Sequence, residues 1–187
     1  MQLTSARTGL AHRSPSGEGG NYHKTMEPWL SGAHAALAPI PRLLRCSLDQ
    51  SEADIRHWTA GLTEEQIWQN HPTAGSIGFQ LRHLAGSIDR LITYANGQPL
   101  TTEQLQFLKA EATPGATREQ LLNALKTAYE TAHQFAQQAM DFDQPRYIGR
   151  QRLETPLGVL LAHIAEHTQR HTGQLIVLCK FAYSSDR

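Results

Sequence analysis

The sequence predicts an all-α fold, a four-helix bundle with a long crossover between helices two and three, on three observations. Four segments carry apolar residues at helical period. No alternating run is long enough to suggest a sheet. Residues 98–116, which contain Pro99, Pro114 and Gly115, interrupt the pattern between the second and third segments. At 187 residues the chain fits one domain with enough core to need neither disulfides nor a structural metal.

The first helix is expected over residues 41–60, where Leu43, Leu44, Leu48, Ile55 and Trp58 form one stripe, with a stop at Gly61. A short turn follows, in which Thr63 and Gln66 have capping-box spacing. The second helix begins after Ser76, a suitable N-cap. It runs through Phe79, Leu81, Leu84, Ile88, Leu91 and Ile92 to Gly97, a suitable residue just past a helix end. The crossover is expected to hold one helical turn at its middle. The third helix starts at Thr117, where T-R-E-Q is again a capping box, and Leu121, Leu122, Leu125, Ala128, Ala132 and Phe135 carry it towards Met140. The fourth is expected from Thr155-Pro156, a cap followed by proline at the first helical position, to Phe181. Four helices of such length imply a bundle.

Composition excludes several function classes. Seventeen acidic and seventeen basic side chains cancel, so the chain lacks the basic footprint of a nucleic-acid binder. No apolar run approaches a membrane span, since LGVLLAHIA is interrupted by His163 and followed by Glu166. Cys46 and Cys179 form no CxxC motif and read as buried thiols in a reducing, cytoplasmic setting. Residues 1–25 are polar and Gly/Ser-rich, without the apolar region of a signal peptide, and are expected to be a disordered extension to a domain over 26–187. Met26 is an alternative start to Met1.

Function turns on LAHIAEHTQRHTGQL, which sets His163, His167 and His171 four residues apart. Four residues advance a helix by roughly 400° and about 6 Å, so successive histidines nearly eclipse and two imidazoles can converge on one ion. Geometry alone makes 163 with 167 as good a pair as 167 with 171. A zinc-type site needs further donors from other helices. His83, among Phe79, Leu84 and Ile88 on the second helix, has an inward orientation and is the expected third ligand, with His57 and His133 as alternatives. His12 and His23 lie in the tail, His34 in the entry segment and His71 in a loop before Pro72.

With a histidine in the second helix, a long crossover, and a last helix of the form P-L-x-x-L-L-x-H-I-x-E-H-x-x-x-H-x-G-Q, the chain resembles the DinB-like family of metal-binding four-helix bundles over residues 35–182. The resemblance implies one divalent metal ion, zinc or nickel, held by His83, His167 and His171, the last preceding Thr172-Gly173-Gln174. His163 and Gln174 then lie one turn either side of the ligand pair, where they would orient the ligating rings without touching the ion. The family often places arginine after the final histidine. Here Thr172 stands there, so no anion-binding role carries over. The resemblance further implies a homodimer, and an enzyme that activates a low-molecular-weight thiol or water in the manner of thiol S-transferases, with a small-molecule thiol and an electrophile as partners.

Other readings compete. A non-catalytic metal-containing stress-response or binding protein would use the same residues, and a metal-free bundle would use His83 and His171 only for buried hydrogen bonds. His163 to His167 also matches the H-x-x-E-H pattern of inverted zinc proteases, but no glutamate follows it to complete such a site. Asp89-Arg90 reads as a solvated surface pair, Trp58 and Trp68 as interhelical anchors, and Tyr94, Tyr129 and Tyr147 as candidates for a pocket entrance.

Overall fold

The computed structural model describes residues 26–138 and 140–184, so the expected extension over 1–25 lies outside the described residues. Six helices and one hairpin follow in chain order: α1 Pro39–Trp58, α2 Glu64–Trp68, α3 Ile77–Ala95, α4 Thr102–Ala110, α5 Arg118–Ala136, β1 Pro145–Ile148, β2 Leu153–Pro156 and α6 Leu157–Ser184. The four long helices are the bundle. α1 packs on α5 and α6, and α3 packs on the same two, so α1 and α3 stand at opposite corners. Their facing stripes meet in one core, where Leu44, Leu48, Ile55, Leu81, Leu84, Leu161, Ile164 and Leu175 are inaccessible to solvent.

The caps expected at Thr63, Ser76, Thr117 and Gly97 are present, and Thr101 adds one in the crossover. Thr63, Thr101 and Thr117 each form a reciprocal box with Gln66, Gln104 and Gln120. The Ser76 hydroxyl accepts from the Phe79 amide at 3.0 Å to start α3. α3 ends in a Schellman motif. Gly97, at φ +74°, donates its amide to the Tyr94 carbonyl (2.8 Å), and Gln98 donates to that of Thr93 (3.1 Å). Cys46 and Cys179 are buried free thiols. Burial pushes Cys179 up to about 12 and raises Cys46 as well, so neither supplies a thiolate at neutral pH.

Four sequence expectations are corrected. The crossover carries a full helix, α4, rather than a single turn. A two-stranded antiparallel hairpin, with Ile148 opposite Leu153 and Pro145 opposite Pro156, precedes α6 where no sheet was expected. Its strands are short and bounded by proline, so they show no alternation long enough to read. Thr155 and Pro156 therefore belong to β2, and α6 starts at Leu157 without a side-chain cap. Its first amides donate instead to loop carbonyls, Leu157 to Gln144 (2.9 Å) and Gly158 to Phe142 (2.8 Å). Tyr129 is also corrected. It is buried in the core, with its hydroxyl 2.6 Å from Ser51 Oγ, which lies 2.5 Å from Thr172 Oγ1. This hydroxyl chain ties α1, α5 and α6 together and lines no entrance. Among the described residues, no helix is long and apolar enough to cross a membrane.

Candidate metal centre

Where α3 crosses α6, three imidazoles meet. One ring nitrogen each from His83, His167 and His171 lies within 4.8 Å of the others, close enough for the three to hold a metal ion. The ring centroids of His83 and His171, and of His167 and His171, are 4.4 Å apart, and those of His83 and His167 are 5.2 Å apart. The tie left by spacing alone is thus resolved by where α3 passes α6: His83 arrives beside 167 and 171. His163 is the most exposed histidine of the stripe. Its Nδ1 faces Glu166 Oε2 at 3.4 Å, and its ring stands 5.5 Å from that of His167. Glu166 is a surface charge paired with Arg170, whose hydrogen bond holds its carboxyl below the usual range.

Each ring is oriented by a partner on its Nδ1 edge. His83 Nδ1 lies 2.8 Å from Glu111 Oε2, an acceptor, so this nitrogen carries the proton. His171 Nδ1 donates to Gln80 Oε1 at 2.8 Å. The Gln80 amide is held the right way round because its Nε2 donates to the Ala74 carbonyl at 3.1 Å. Ser87 Oγ donates to the Leu84 carbonyl (3.3 Å) and faces His167 Nδ1 at 3.4 Å as an acceptor. With all three Nδ1 atoms engaged, the unprotonated Nε2 atoms are the donors left for an ion, an arrangement typical of metal-ligating histidines. Gln174, three residues past His171 on α6, is exposed.

Glu111 is the residue sequence reasoning missed. It caps the C-terminal end of α4, is 3% exposed, and shares its carboxylate between His83 and Arg90, whose Nη1 is 2.8 Å from Oε1. A carboxylate at a helix C-terminus opposes the helix dipole, and the two cationic or N–H partners on α3 offset that cost. Arg90 is 8% exposed, which corrects its reading as half of a solvated pair, while Asp89 accepts from Gln104 Nε2 on α4 at 2.8 Å. Gly86 makes room for the arrangement. A Cβ there would lie 2.7 Å from Phe107 Cε1 and 2.8 Å from both Arg90 Nη1 and Glu111 Oε1. The signal for Glu111 was on α3: Arg90 follows His83 by seven residues, which puts both on one face, and an arginine facing inward needs a carboxylate.

Burial, and then the repulsion of neighbouring rings, holds His167 and His171 at about 4. Both are neutral, as ligands must be, at any pH above roughly 5. The same shifts predict how the metal-free protein responds to acid. Unfolded histidines take up protons near 6.5, the folded ones only near 4, so the unfolded state binds more protons in between and stability falls as pH drops through that window. Asp54, raised to about 6 by burial, acts oppositely, but it is one group against two, and His133 is also lowered by burial. Calorimetry on chelator-stripped protein is expected to give a lower Tm at pH 5 than at pH 7; a flat or rising Tm would contradict these protonation states.

A profile of the DinB superfamily matches residues 47–175, a span that holds all three histidines, the crossover and Gln174. The chain belongs to the DinB superfamily. Among curated proteins none matches it. The DinB match ends before the last turns of α6, so the site lies wholly within the shared region. For this DinB member, the convergence of α3 and α6 fits a metal by chemistry as well as by distance: three borderline imidazole donors, each with its Nδ1 held by a neighbouring side chain.

Proposed function

We propose that this DinB-superfamily protein is a metal-dependent enzyme that activates a low-molecular-weight thiol, or water, for attack on a small electrophile. One observation carries the proposal. The convergent group contains three histidines and, among the described residues, no fourth His, Cys, Asp or Glu. Structural zinc sites close with four protein ligands, whereas catalytic ones keep a position free. When bound, a dication held by three neutral imidazoles supplies the positive charge that lowers the pKa of a thiol or water placed against it.

The chain's own residues do the rest. Glu111 fixes the proton on His83 Nδ1 and enhances the basicity of the opposite nitrogen, while Gln80 and Ser87 set the other two rings without adding charge. The reaction class is S-conjugation: a sulfur–carbon bond forms at the electrophile while the bond to its leaving group breaks, and the thiol proton passes to solvent. Zinc and nickel both suit imidazole donors, and a homodimer in the cytoplasm is the setting that goes with this reading.

The test is a panel of small thiols assayed with a chromogenic chloroarene, using protein loaded with zinc or nickel, stripped protein, and the His83→Ala variant. Conjugation is expected from loaded wild type alone. If loaded and stripped protein give equal rates across the panel, and ester hydrolysis shows no metal dependence either, the enzyme reading fails and a non-catalytic metal protein takes its place.

A further inference from the structure

The crossover and the hairpin enclose a second concave site that the histidine centre does not use. Its apolar wall comes from the end of α3 and from the crossover, with Tyr94, Leu100 and Leu105, and its other wall is the hairpin, with Arg146, Arg150 and Arg152. The space enclosed is about 340 Å³, within the range of small-molecule sites. Tyr94 follows His83 by eleven residues on α3, a rise of about 16 Å, so an occupant would not touch the imidazoles.

The charge of this cleft is one-sided. Three guanidiniums line it and no Asp or Glu does, although the chain as a whole is balanced at seventeen of each sign. Arg146 is locked in place: Nε donates to the Ala95 carbonyl (2.5 Å), Nη1 to the Pro145 carbonyl (3.0 Å) and Nη2 to Gln144 Oε1 (2.8 Å). Arg152 lies over the Tyr147 ring at 4.8 Å, and it sits at φ +52°, a backbone region that glycine or asparagine enters at less cost. Arg150, at the tip, and Arg152 meet no carboxylate among the described residues. Like charges held together without counter-charge, next to an apolar floor, have the make-up of an anion site, and guanidinium forks match the oxygens of carboxylates and phosphates.

We propose that this cleft binds a small organic oxyanion, with its carboxylate or phosphate on the hairpin arginines and its apolar body on Tyr94, Leu100 and Leu105. The proposal is independent of the histidine centre and stands whether or not a metal is held there.

The probes are phenyl phosphate, benzoate, benzyl alcohol and inorganic phosphate, titrated into the full-length isotope-labelled chain and followed by its amide spectrum. The comparison is an Arg150→Gln/Arg152→Asn double variant. Both substitutions fall in an exposed loop, and asparagine tolerates the positive φ, so the fold is retained. At least one of the two aryl anions is expected to saturate, with shifts at the hairpin and around Tyr94. The double variant should bind it at least about tenfold more weakly, and benzyl alcohol should bind wild type more weakly by a similar factor. Which aryl anion binds better names the head group. Failure of both to saturate, equal affinity in the variant, or equal affinity for benzyl alcohol would overturn the anion site. Inorganic phosphate binding as tightly as phenyl phosphate would overturn the role of the apolar floor.

Discussion

Glu111→Ala is expected to destabilise the protein by about 3–5 kcal/mol, more than other single changes around the centre, because it leaves the Arg90 guanidinium buried and unpaired. The same change removes the acceptor that orients His83, so metal affinity should fall by about 10–100-fold. The two effects separate with Glu111→Gln. Its amide oxygen can still accept from one partner, which softens the structural loss, while the missing negative charge weakens both the His83 imidazole as a donor and the hold on Arg90. Chemical denaturation of metal-free protein reads the first effect, and competition with a chromogenic chelator reads the second. A Glu111→Ala protein as stable as wild type would mean that Arg90 finds solvent or another partner, and that Glu111 does not hold α4 on α3.

His171→Ala is expected to lower metal affinity by at least about a hundredfold, since one of three protein donors is lost from a site whose binding energy is shared among them. Wild-type protein at metal concentrations about a hundred times the dissociation constant gains about 2.7 kcal/mol of stability, and the variant should gain little or none. His83→Ala should behave alike despite lying on another helix. His163→Ala is the control: its ring is turned to Glu166 at the surface, so metal uptake should match wild type. If His163→Ala lost the metal and His171→Ala kept it, the site would be built on the other pair of the α6 stripe.

Much of this arrangement was legible in the sequence, and the boundary is instructive. Helix ends marked by local chemistry, such as Ser76, Thr117 and Gly97, are present because a cap is satisfied by residues a few positions away. The histidine stripe was equally visible, but its spacing left two pairs of equal merit. Only the resemblance to the DinB-like family favoured the pair that His83 approaches in the fold. Glu111 was hidden for a different reason: an inward-facing Arg90 calls for a carboxylate but does not say which one. It sits in a Pro/Gly-containing crossover, and its role depends on α4 docking across Gly86, a contact between segments that no local pattern encodes. Gln80 and Ser87 share that character, since each reads as an ordinary polar residue until α6 is laid beside α3. The hairpin was hidden by its brevity, and by Arg152 holding a turn conformation that glycine or asparagine would have advertised.

The most direct test of the central claim, that three imidazoles hold one ion and leave a position for an exogenous ligand, is X-ray absorption at the zinc edge of the tag-free, zinc-loaded chain. About one zinc per chain is expected, with outer-shell scattering from three imidazoles and one further light atom supplied by solvent or thiol. A shell closed by four protein ligands, or one without imidazole scattering, would contradict it.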